Sequence, residues 1–220
     1  MNAPRVKLII GLIFREVSAA EKARLALTKL FGNIDFESAP LAFNHTDYYR
    51  KEFGSGLKRR FFSFRRLIPA QHLARIKVFT NNLEQKLSRK STHSTRPGLK
   101  PGVCSGLILS GIPLPRPKVR GLNAAEVSRR LVNIDPGYLD LAKLVLASTK
   151  DYRHRIYLER GIYVEITLFY QRKTFNPWEW TYPDYRSREY IEVFNRIREI
   201  YKKQLQECAP HTSNLTKTAG

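Results

Sequence analysis

The densest group of chemically capable side chains lies between residues 133 and 168. Six of them could bind a ligand or transfer a proton: Asn133, Asp135, Lys150, His154, Arg155 and Glu165. A carboxylate such as Asp135 or Glu165 can act as a general base, with Lys150 or His154 as its partner. Lysine and arginine are also the side chains that most often bind phosphate and carboxylate groups. The stretch therefore indicates either acid–base catalysis or the binding of a small anion.

Each of these residues also has a structural interpretation, which the sequence leaves open. Asp135 shares a strand face with Asn133, but it also precedes a Pro-Gly pair, as the N-cap of a helix often does. Arg155 and Glu165 fall opposite each other in a predicted hairpin, where they would form a cross-strand ion pair. His154 would lie on the core face of the same hairpin. These structural roles compete with catalysis.

A second polar group lies on a predicted helix over residues 69–87. Lys77, Asn81 and Glu84 recur at helical spacing, so they share one face of this helix. That face either binds a ligand or forms solvated salt bridges, and the spacing alone does not decide between the two.

The sequence lacks several well-known catalytic and metal-binding motifs. No phosphate loop is present, because residues 54–58 read Gly-Ser-Gly-Leu-Lys and lack the spacing and the hydroxyl of that motif. Neither a Gly-x-Ser-x-Gly elbow nor a His-Glu-x-x-His helix occurs. Cys104 and Cys208 lie far apart, without histidine or cysteine neighbours at zinc-ligand spacing. The pattern predicts no metal site and no disulfide framework, and it leaves any cofactor unknown.

The charge balance points to an anionic partner. The chain has 39 Lys and Arg against 19 Asp and Glu, a net charge of +20. Such a charge favours contact with nucleic acid, although a basic host proteome would produce it as well. An RNA-binding surface would use a basic insertion at 88–128 and four arginines of a predicted strand, namely Arg59, Arg60, Arg65 and Arg66. The competing interpretation of that strand is an edge whose arginines prevent aggregation.

Length and hydropathy indicate one cytoplasmic domain. At 220 residues the chain is long enough for a single core. The apolar run at 8–14 is too short to cross a membrane, and no signal-peptide cleavage pattern follows it. We expect residues 1–210 to form the domain, interrupted by a disordered basic insertion at 88–128 and followed by a disordered tail at 211–220. The oligomeric state is not predicted.

The order of the predicted elements is strand, helix, strand, strand, helix, strand. The apolar run at 6–14 predicts a central strand buried on both faces, and Ser18 with Glu21 predicts a capping box for the next helix. Further elements are strands at 34–43, 58–68 and 129–134, a helix from Asp135 to about residue 147, a hairpin at 153–170 and a C-terminal helix at 188–207. This order predicts an α+β fold with a ferredoxin-like sheet, either mixed or antiparallel.

Eight longer motifs resemble those of one bacterial family. They are Val6-Lys-Leu-Ile-Ile-Gly-Leu-Ile13, Phe43-x-x-Thr-x-Tyr-Tyr49, Lys77-x-x-Thr-Asn81-x-x-Glu84, Asn133-Ile-Asp-Pro-Gly-Tyr138, Leu146-Ala-Ser-Thr-Lys-Asp151, His154-Arg-Ile-Tyr157, Gly161-Ile-Tyr-x-Glu-x-Thr-Leu168 and Trp180-Thr-Tyr-Pro-Asp-Tyr185. The family is catalogued as domain of unknown function 4416. The resemblance covers nearly the whole chain, except the 88–128 insertion and the last residues.

The resemblance implies site residues but no established activity. Some members of the family carry a GTP-binding label, which the missing phosphate loop does not support here. The family pattern adds Thr46, Tyr49 and Asp184 to the candidate ligand-binding residues described above.

Our leading hypothesis is a polar pocket for a small anionic ligand, either phosphate-bearing or a nucleotide. Lys77, Lys150 and Arg155 would contact the anion, and Asn133 and Asp135 would orient it. The two alternatives are an enzyme with a carboxylate general base and an RNA-binding protein.

Overall fold

The computed structural model describes residues 4–43, 56–88 and 130–208. Within these ranges the chain forms three α-helices and one ten-stranded antiparallel sheet, so its architecture is α+β. The helices are α1 (Val17–Phe31), α2 (Leu73–Leu87) and α3 (Arg188–Cys208). The strands are β1 (Arg5–Phe14), β2 (Ile34–Glu37), β3 (Leu41–Ala42), β4 (Lys58–Phe64), β5 (Ile68–Pro69), β6 (Val132–Leu139), β7 (Lys143–Ser148), β8 (Ile156–Glu159), β9 (Ile162–Gln171) and β10 (Thr174–Pro177). Our predictions for residues 44–55, for most of the 88–128 insertion and for the tail lie outside the described residues.

The strands follow the order β10-β9-β7-β6-β1-β4-β2, and every neighbouring pair is antiparallel. The short strands β3, β5 and β8 pair with β4, β1 and β9 respectively. β1 is buried at every position from Val6 to Phe14. Its almost unbroken run of apolar residues fits this place, because a strand packed on both faces needs no polar alternation. The prediction of a central strand at 6–14 is confirmed.

Helices cover both faces of the sheet. α1 and α2 pack on the face that carries Leu8, Ile10 and Leu12. α3 packs on the opposite face, the side of Ile9. The buried residues of α3 include four that helical spacing predicts to face inward, Tyr190, Phe194, Ile197 and Tyr201. None of the described helices is both long and apolar enough to cross a membrane.

The first turn of α1 differs from the prediction. The helix begins at Val17, and no side chain forms a hydrogen bond to cap it. The backbone carbonyl of Glu16 accepts hydrogen bonds from the N–H groups of Ala19 and Ala20, both at 3.2 Å. The capping box of Ser18 and Glu21 is therefore wrong, because the helix has already begun at Ser18.

The helix predicted after Asp135 is also wrong. The Pro-Gly pair lies inside β6 and the next element is the strand β7, so Asp135 caps no helix. A proline has no N–H, so it cannot donate a hydrogen bond to a neighbouring strand. Pro136 fits in β6 because its nitrogen faces the side on which β7 pairs only with Gly137, Tyr138 and Leu139.

β4 is an inner strand, so its interpretation as a sheet edge is wrong. It lies between β1 and β2. Its two arginines at the start are largely buried and ion-paired: Arg59 donates to Asp184 (2.8 Å) and Arg60 to Glu37 (2.7 Å). Buried guanidinium groups need such acidic partners, since an unpaired buried charge is costly. Local alternation cannot reveal a partner that lies 125 residues away in the chain.

The β8–β9 hairpin has part of the predicted pairing and a shorter loop than predicted, because Glu159 rather than Leu158 lies opposite Ile162. Ile156 lies opposite Val164. The loop consists of Arg160 and Gly161 alone, with φ angles of 56° and 73°. Two successive residues of positive φ form the turn that best matches the twist of a hairpin.

The predicted core face of this hairpin is largely exposed, and the ion pair predicted on the other face is buried. Arg155 and Glu165 have nearly inaccessible side chains and form an ion pair at 2.7 Å. The loop after β10 covers them, since the Tyr182 hydroxyl accepts a hydrogen bond from Arg155 at 2.9 Å. Three residues assigned to the core are instead exposed, namely Ile156, Leu158 and Ile166.

Gly137 marks the point where β6 and β7 begin to pair, and it has no room for a side chain. A Cβ there would lie 2.4 Å from the Val145 carbonyl oxygen. We expect Gly137→Ala to lower the free energy of unfolding by about 1–3 kcal/mol, measured by urea denaturation. Gly11→Ala is the control, because its nearest neighbour is the Phe61 ring at 3.3 Å, which can shift. Equal losses in the two variants would contradict the tight contact between β6 and β7.

Candidate ligand-binding site

The sheet opens between β6 and β7, which pair over only part of their length. Their ladder joins Gly137, Tyr138 and Leu139 to residues 144–146. The first half of β6 pairs with β1 on one side, but on the other side it has no strand partner among the described residues. β7 meanwhile continues along β9 as far as Ser148. A cleft therefore separates the first half of β6 from the end of β7.

Two side chains of α2 replace the missing strand partner at Ile134. The N–H of Ile134 donates to Glu84 Oε1 (2.6 Å), and its C=O accepts from Lys77 Nζ (3.0 Å). All three residues are buried. Lys77 and Glu84 are seven residues apart, which is about two helical turns, so one face of α2 presents both charges to the backbone of Ile134. Without such partners, each buried backbone group would cost about 1–3 kcal/mol.

A cavity of about 380 Å³ occupies the cleft. Its lining residues come from α2, from β6 and a residue two positions before it, and from the end of β7 with the two residues that follow: Lys77, Asn81, Glu84, Gln85, Arg130, Asn133, Asp135, Ala147, Ser148, Thr149 and Lys150. Six of them were predicted as site residues, namely Lys77, Asn81, Glu84, Asn133, Asp135 and Lys150. The volume is within the range of small-molecule sites. Of the five residues that the leading hypothesis placed around one anion, Lys77, Asn133, Asp135 and Lys150 line this cavity and Arg155 does not.

Asp135 lies at the centre of the charges around the cavity. Its Oδ1 is 3.3 Å from Lys77 Nζ, and its Oδ2 accepts from Asn133 Nδ2 at 2.7 Å. On the far side, Arg59 lies 3.5 Å from Oδ2 and bridges to Asp184. Both carboxylate oxygens of Asp135 are therefore already engaged.

Arg59 belongs to this arrangement, so its predicted place on an RNA-binding surface is wrong. Its side chain is only 4% exposed. The guanidinium lies over the rings of Phe43 (4.7 Å) and Tyr185 (5.2 Å), a cation–π arrangement that favours a buried positive charge. Asp184, predicted from the family pattern, is its ion-pair partner and does not line the cavity.

The two cavity carboxylates differ in how readily they ionise. Burial favours the neutral form of Asp135, but the charges of Lys77 and Arg59 outweigh burial and lower its pKa below the ordinary value. For Glu84 burial is the stronger effect, and it raises the pKa despite the attraction of Lys77 and the hydrogen bond from Ile134. The cavity therefore combines one carboxylate that ionises easily with one that resists ionisation.

Arg155 supports the wall of the cavity without lining it. Its NH1 donates to Ser148 Oγ (2.7 Å) and to the Lys150 carbonyl (2.9 Å), and its Nε donates to Glu165 (2.7 Å). His154 contacts the same carboxylate of Glu165 at 3.1 Å. These contacts hold the segment 148–150, and they explain why Arg155 accompanies the lining residues in the sequence. Catalytic roles for His154 and Glu165 stay predictions.

Some site residues were missed, and others cannot be placed. The cavity also includes Gln85, Arg130, Ser148 and Thr149. The two hydroxyls stand beside Lys150 in the sequence, and this adjacency was the available signal. Thr46 and Tyr49 lie outside the described residues. Within the described ranges, no group of three or more His, Cys, Asp and Glu residues is placed to hold a metal ion.

A family model described as "domain of unknown function (DUF4416)" matches residues 4–106 and 122–201. The match agrees with the resemblance of the sequence motifs. Its gap at 107–121 is shorter than the insertion at 88–128, which we placed outside the family, so those bounds were too wide. No curated protein and no solved structure matches the chain.

Two substitutions of Glu84 test its hydrogen bond to Ile134. Glu84→Gln keeps an acceptor for the Ile134 N–H, whereas Glu84→Leu leaves this buried group without a partner. We expect the leucine variant to lose about 1–3 kcal/mol more of the free energy of unfolding than the glutamine variant, in urea denaturation at neutral pH. Equal losses would show that α2 does not substitute for a strand partner at this position.

Carbon-13 NMR titration of the two carboxyl groups tests their environment. We expect Glu84 to titrate above the ordinary glutamate pKa and Asp135 below the ordinary aspartate pKa. By linkage, the stability contributed by Glu84 is complete below its ordinary pKa and is lost as the pH rises through the raised value. The contribution of Asp135 is present above its ordinary pKa and is lost as the pH falls through the lowered value. Ordinary titration of both groups would contradict the described burial and pairing.

Proposed function

The chain belongs to the family described as domain of unknown function (DUF4416), and because that description assigns no activity, we propose from the site itself that the chain binds a small ligand with a phosphate or carboxylate group. The ligand would occupy the cavity between α2, β6 and β7. The observation that carries this proposal is the surplus of hydrogen-bond donors on two walls of the cavity, formed by α2 and by the end of β7.

Lys77 supplies a donor from the wall formed by α2. Its ammonium group has three N–H bonds, and the contacts described above use two, one to the Ile134 carbonyl and one to Asp135. Asn81, one turn further along α2, has no hydrogen-bond partner for its amide among the described residues. Both groups line the cavity, where an anionic oxygen would accept from them.

The end of β7 supplies hydroxyl donors from the opposite wall. Ser148 Oγ accepts hydrogen bonds from Arg155 and from the Lys150 N–H, so its own O–H is left to donate. Thr149 is exposed, and its hydroxyl has no partner within the described residues. A phosphate group, with several acceptor oxygens, matches donors arranged on facing walls better than a neutral ligand does.

The charges of the lining support the same ligand class. Three cationic residues line the cavity, Lys77, Arg130 and Lys150, against the two acids Glu84 and Asp135. The acids are occupied, since Glu84 accepts from Ile134 and Arg130, and Asp135 from Lys77 and Asn133. Because the cationic residues of the lining outnumber its acids by one, the net charge of the lining favours a small anion.

Binding is favoured over general-base catalysis by the state of Asp135 and Glu165, the two carboxylates predicted as bases. An efficient general base has a pKa near the working pH. Asp135 has a lowered pKa and both oxygens engaged, which makes it a weak base. Glu165 is buried in its ion pair with Arg155 and does not line the cavity.

RNA binding receives less support from the arginines of β4 and the turn after it. Arg59 and Arg60 are largely buried and paired with acids. Arg65 and Arg66 are exposed, and the basic insertion lies outside the described residues. Half of the predicted basic strand therefore has a structural role.

We also propose that the elements from β1 to β6 form a ferredoxin-like unit to which the later strands are added. Its support is the antiparallel order β6-β1-β4-β2, with α1 after β1 and α2 after β4. In this arrangement the cavity lies at the outer strand of the unit, where β7 has been added.

A ligand screen by thermal shift, followed by calorimetry, tests the proposed function. The panel contains inorganic phosphate, sugar phosphates, nucleoside monophosphates and small dicarboxylates. A compound present at 100 times its Kd stabilises the folded chain by about 2.7 kcal/mol, which raises Tm by several degrees. We expect at least one anionic compound to do so. Failure of the whole panel would overturn the proposal.

Alanine substitutions of two neighbouring asparagines test whether the ligand occupies the cavity. Asn81 lines it, whereas Asn82 is exposed on another face of α2. We expect Asn81→Ala to weaken binding about tenfold or more, because a hydrogen bond to a charged group contributes about 1.5–3 kcal/mol. Asn82→Ala serves as the matched control and should bind like the unmodified chain. Equal affinities in both variants would place the ligand elsewhere.

A further inference from the structure

Ile156, the most exposed large apolar side chain among the described residues, lies on the β8–β9 hairpin. Ile156 is 71% exposed and Tyr157 56%, and Leu158 and Ile166 are each about 40% exposed. Single exposed apolar residues are common, but three in succession on one strand are not. A contiguous apolar surface of this kind typically marks a contact with another molecule.

Ile156 and Ile166 lie on the same side of the sheet as α2. Ile156 pairs with Val164, and Ile166 is two residues further along β9. α2 covers the neighbouring residues Val145, Ala147 and Val164, but its cover ends before Ile156. The apolar layer beneath α2 therefore continues outward onto the surface of the hairpin.

β8 also presents an open strand edge. Among the described residues it pairs only with β9. Edge strands are normally protected by charged residues or proline, and the sequence of β8 is Ile-Tyr-Leu-Glu. Its one charge, Glu159, is partnered by Arg75 at 3.5 Å and by Arg160 at 3.9 Å. β8 is short and its pairing with β9 shifts register between Tyr157 and Glu159, but residues 156–158 contain no charge and no proline that would oppose a further strand.

Positive charges border this edge. Arg153 precedes β8 and Arg160 follows it, and both are exposed. Arg75 reaches the same end of β8 from α2, with a side chain that is 58% exposed. An occupant of this surface would therefore meet apolar side chains in the middle and arginines at both ends.

The charges select the kind of occupant. A second copy of the chain would bring the same arginines and a net charge of +20. The chain's own insertion is also basic, with seven Lys and Arg between residues 89 and 120 and no acid in that range. Both would be repelled, since like charges brought together oppose association. Acidic side chains would instead be attracted.

We propose that the edge of β8 docks an extended acidic segment of another protein, in which apolar residues alternate with acidic ones. The segment adds a strand to the sheet, so backbone hydrogen bonds extend from β8. Its apolar side chains cover Ile156 and Leu158, and its carboxylates lie near Arg153 and Arg160. This is the strand-addition mode of peptide recognition, in which alternate side chains determine specificity.

Fluorescence anisotropy with the full chain tests the proposal. The probe is a labelled eight-residue peptide in which valine alternates with glutamate, and the matched peptide has lysine in place of glutamate. We expect the acidic peptide to bind at least tenfold more tightly and its affinity to fall with increasing salt. Equal binding of both peptides, or binding of neither, would overturn the proposal.

Variants locate the bound peptide. We expect the double variant Ile156→Ala and Leu158→Ala to reduce affinity at least tenfold, whereas Leu25→Ala, an exposed leucine of α1, should have no effect. For the charges, Arg160→Asn should weaken binding, while Arg172→Asn is the matched control. Both arginines are the first residue of a two-residue turn, with φ angles of 56° and 53°, and asparagine tolerates this conformation.

Sedimentation velocity tests the alternative occupant, which is a second copy of the chain. If the chain dimerises and the double variant is monomeric, the surface joins two copies of the chain and the proposal is wrong. If the chain keeps one state with and without the substitutions while the acidic peptide binds, the proposal is supported. Circular dichroism of each variant verifies that the fold is retained, so that a loss of affinity reports on the surface.

Discussion

The arrangement of this molecule depends on the hydrogen bonds between α2 and the backbone of Ile134. A buried strand must satisfy its N–H and C=O groups on both sides. β6 does so on one side with β1, and on the other side Glu84 and Lys77 take the place of a neighbouring strand. Because two side chains do what β7 would otherwise do, β7 can diverge and leave a cavity inside the sheet. The cavity therefore depends on the charged residues of α2 that replace the strand contact.

Buried and partly buried charges alternate in sign from one face of the sheet to the other. They follow the order Asp184, Arg59, Asp135, Lys77, Glu84 and Arg130. Each charge has an opposite charge beside it, which is how the centre of a sheet tolerates several ionised groups. The same residues thus hold the structure together and line or support the cavity. A bound anion would add to this series next to Lys77, and its binding would be coupled to the ionisation of Glu84 and Asp135.

The sequence predicts local features well where one cause dominates. The central position of β1 follows from nine consecutive buried residues, and the ion pair of Arg155 and Glu165 follows from the pairing of the hairpin. The predictions failed where contacts with a distant element determine the local structure. The Pro-Gly pair after Asp135 normally favours a helix start, but the partial pairing of β7 permits a strand there. The arginines of β4 resembled an edge strand because their acidic partners come from other segments. Helical spacing did identify Lys77, Asn81 and Glu84 as one face, yet only the fold shows that this face meets β6.

The central claim is that the opening between β6 and β7 is a ligand site created by the contact of α2 with Ile134. The most direct measurement is a titration of the nitrogen-15-labelled chain with inorganic phosphate, followed by amide chemical shifts. We expect the largest saturable changes at Ile134, Ser148 and Thr149, on the two sides of the cavity. Changes confined to exposed arginine segments such as 65–66, with these three amides unaffected, would contradict the account.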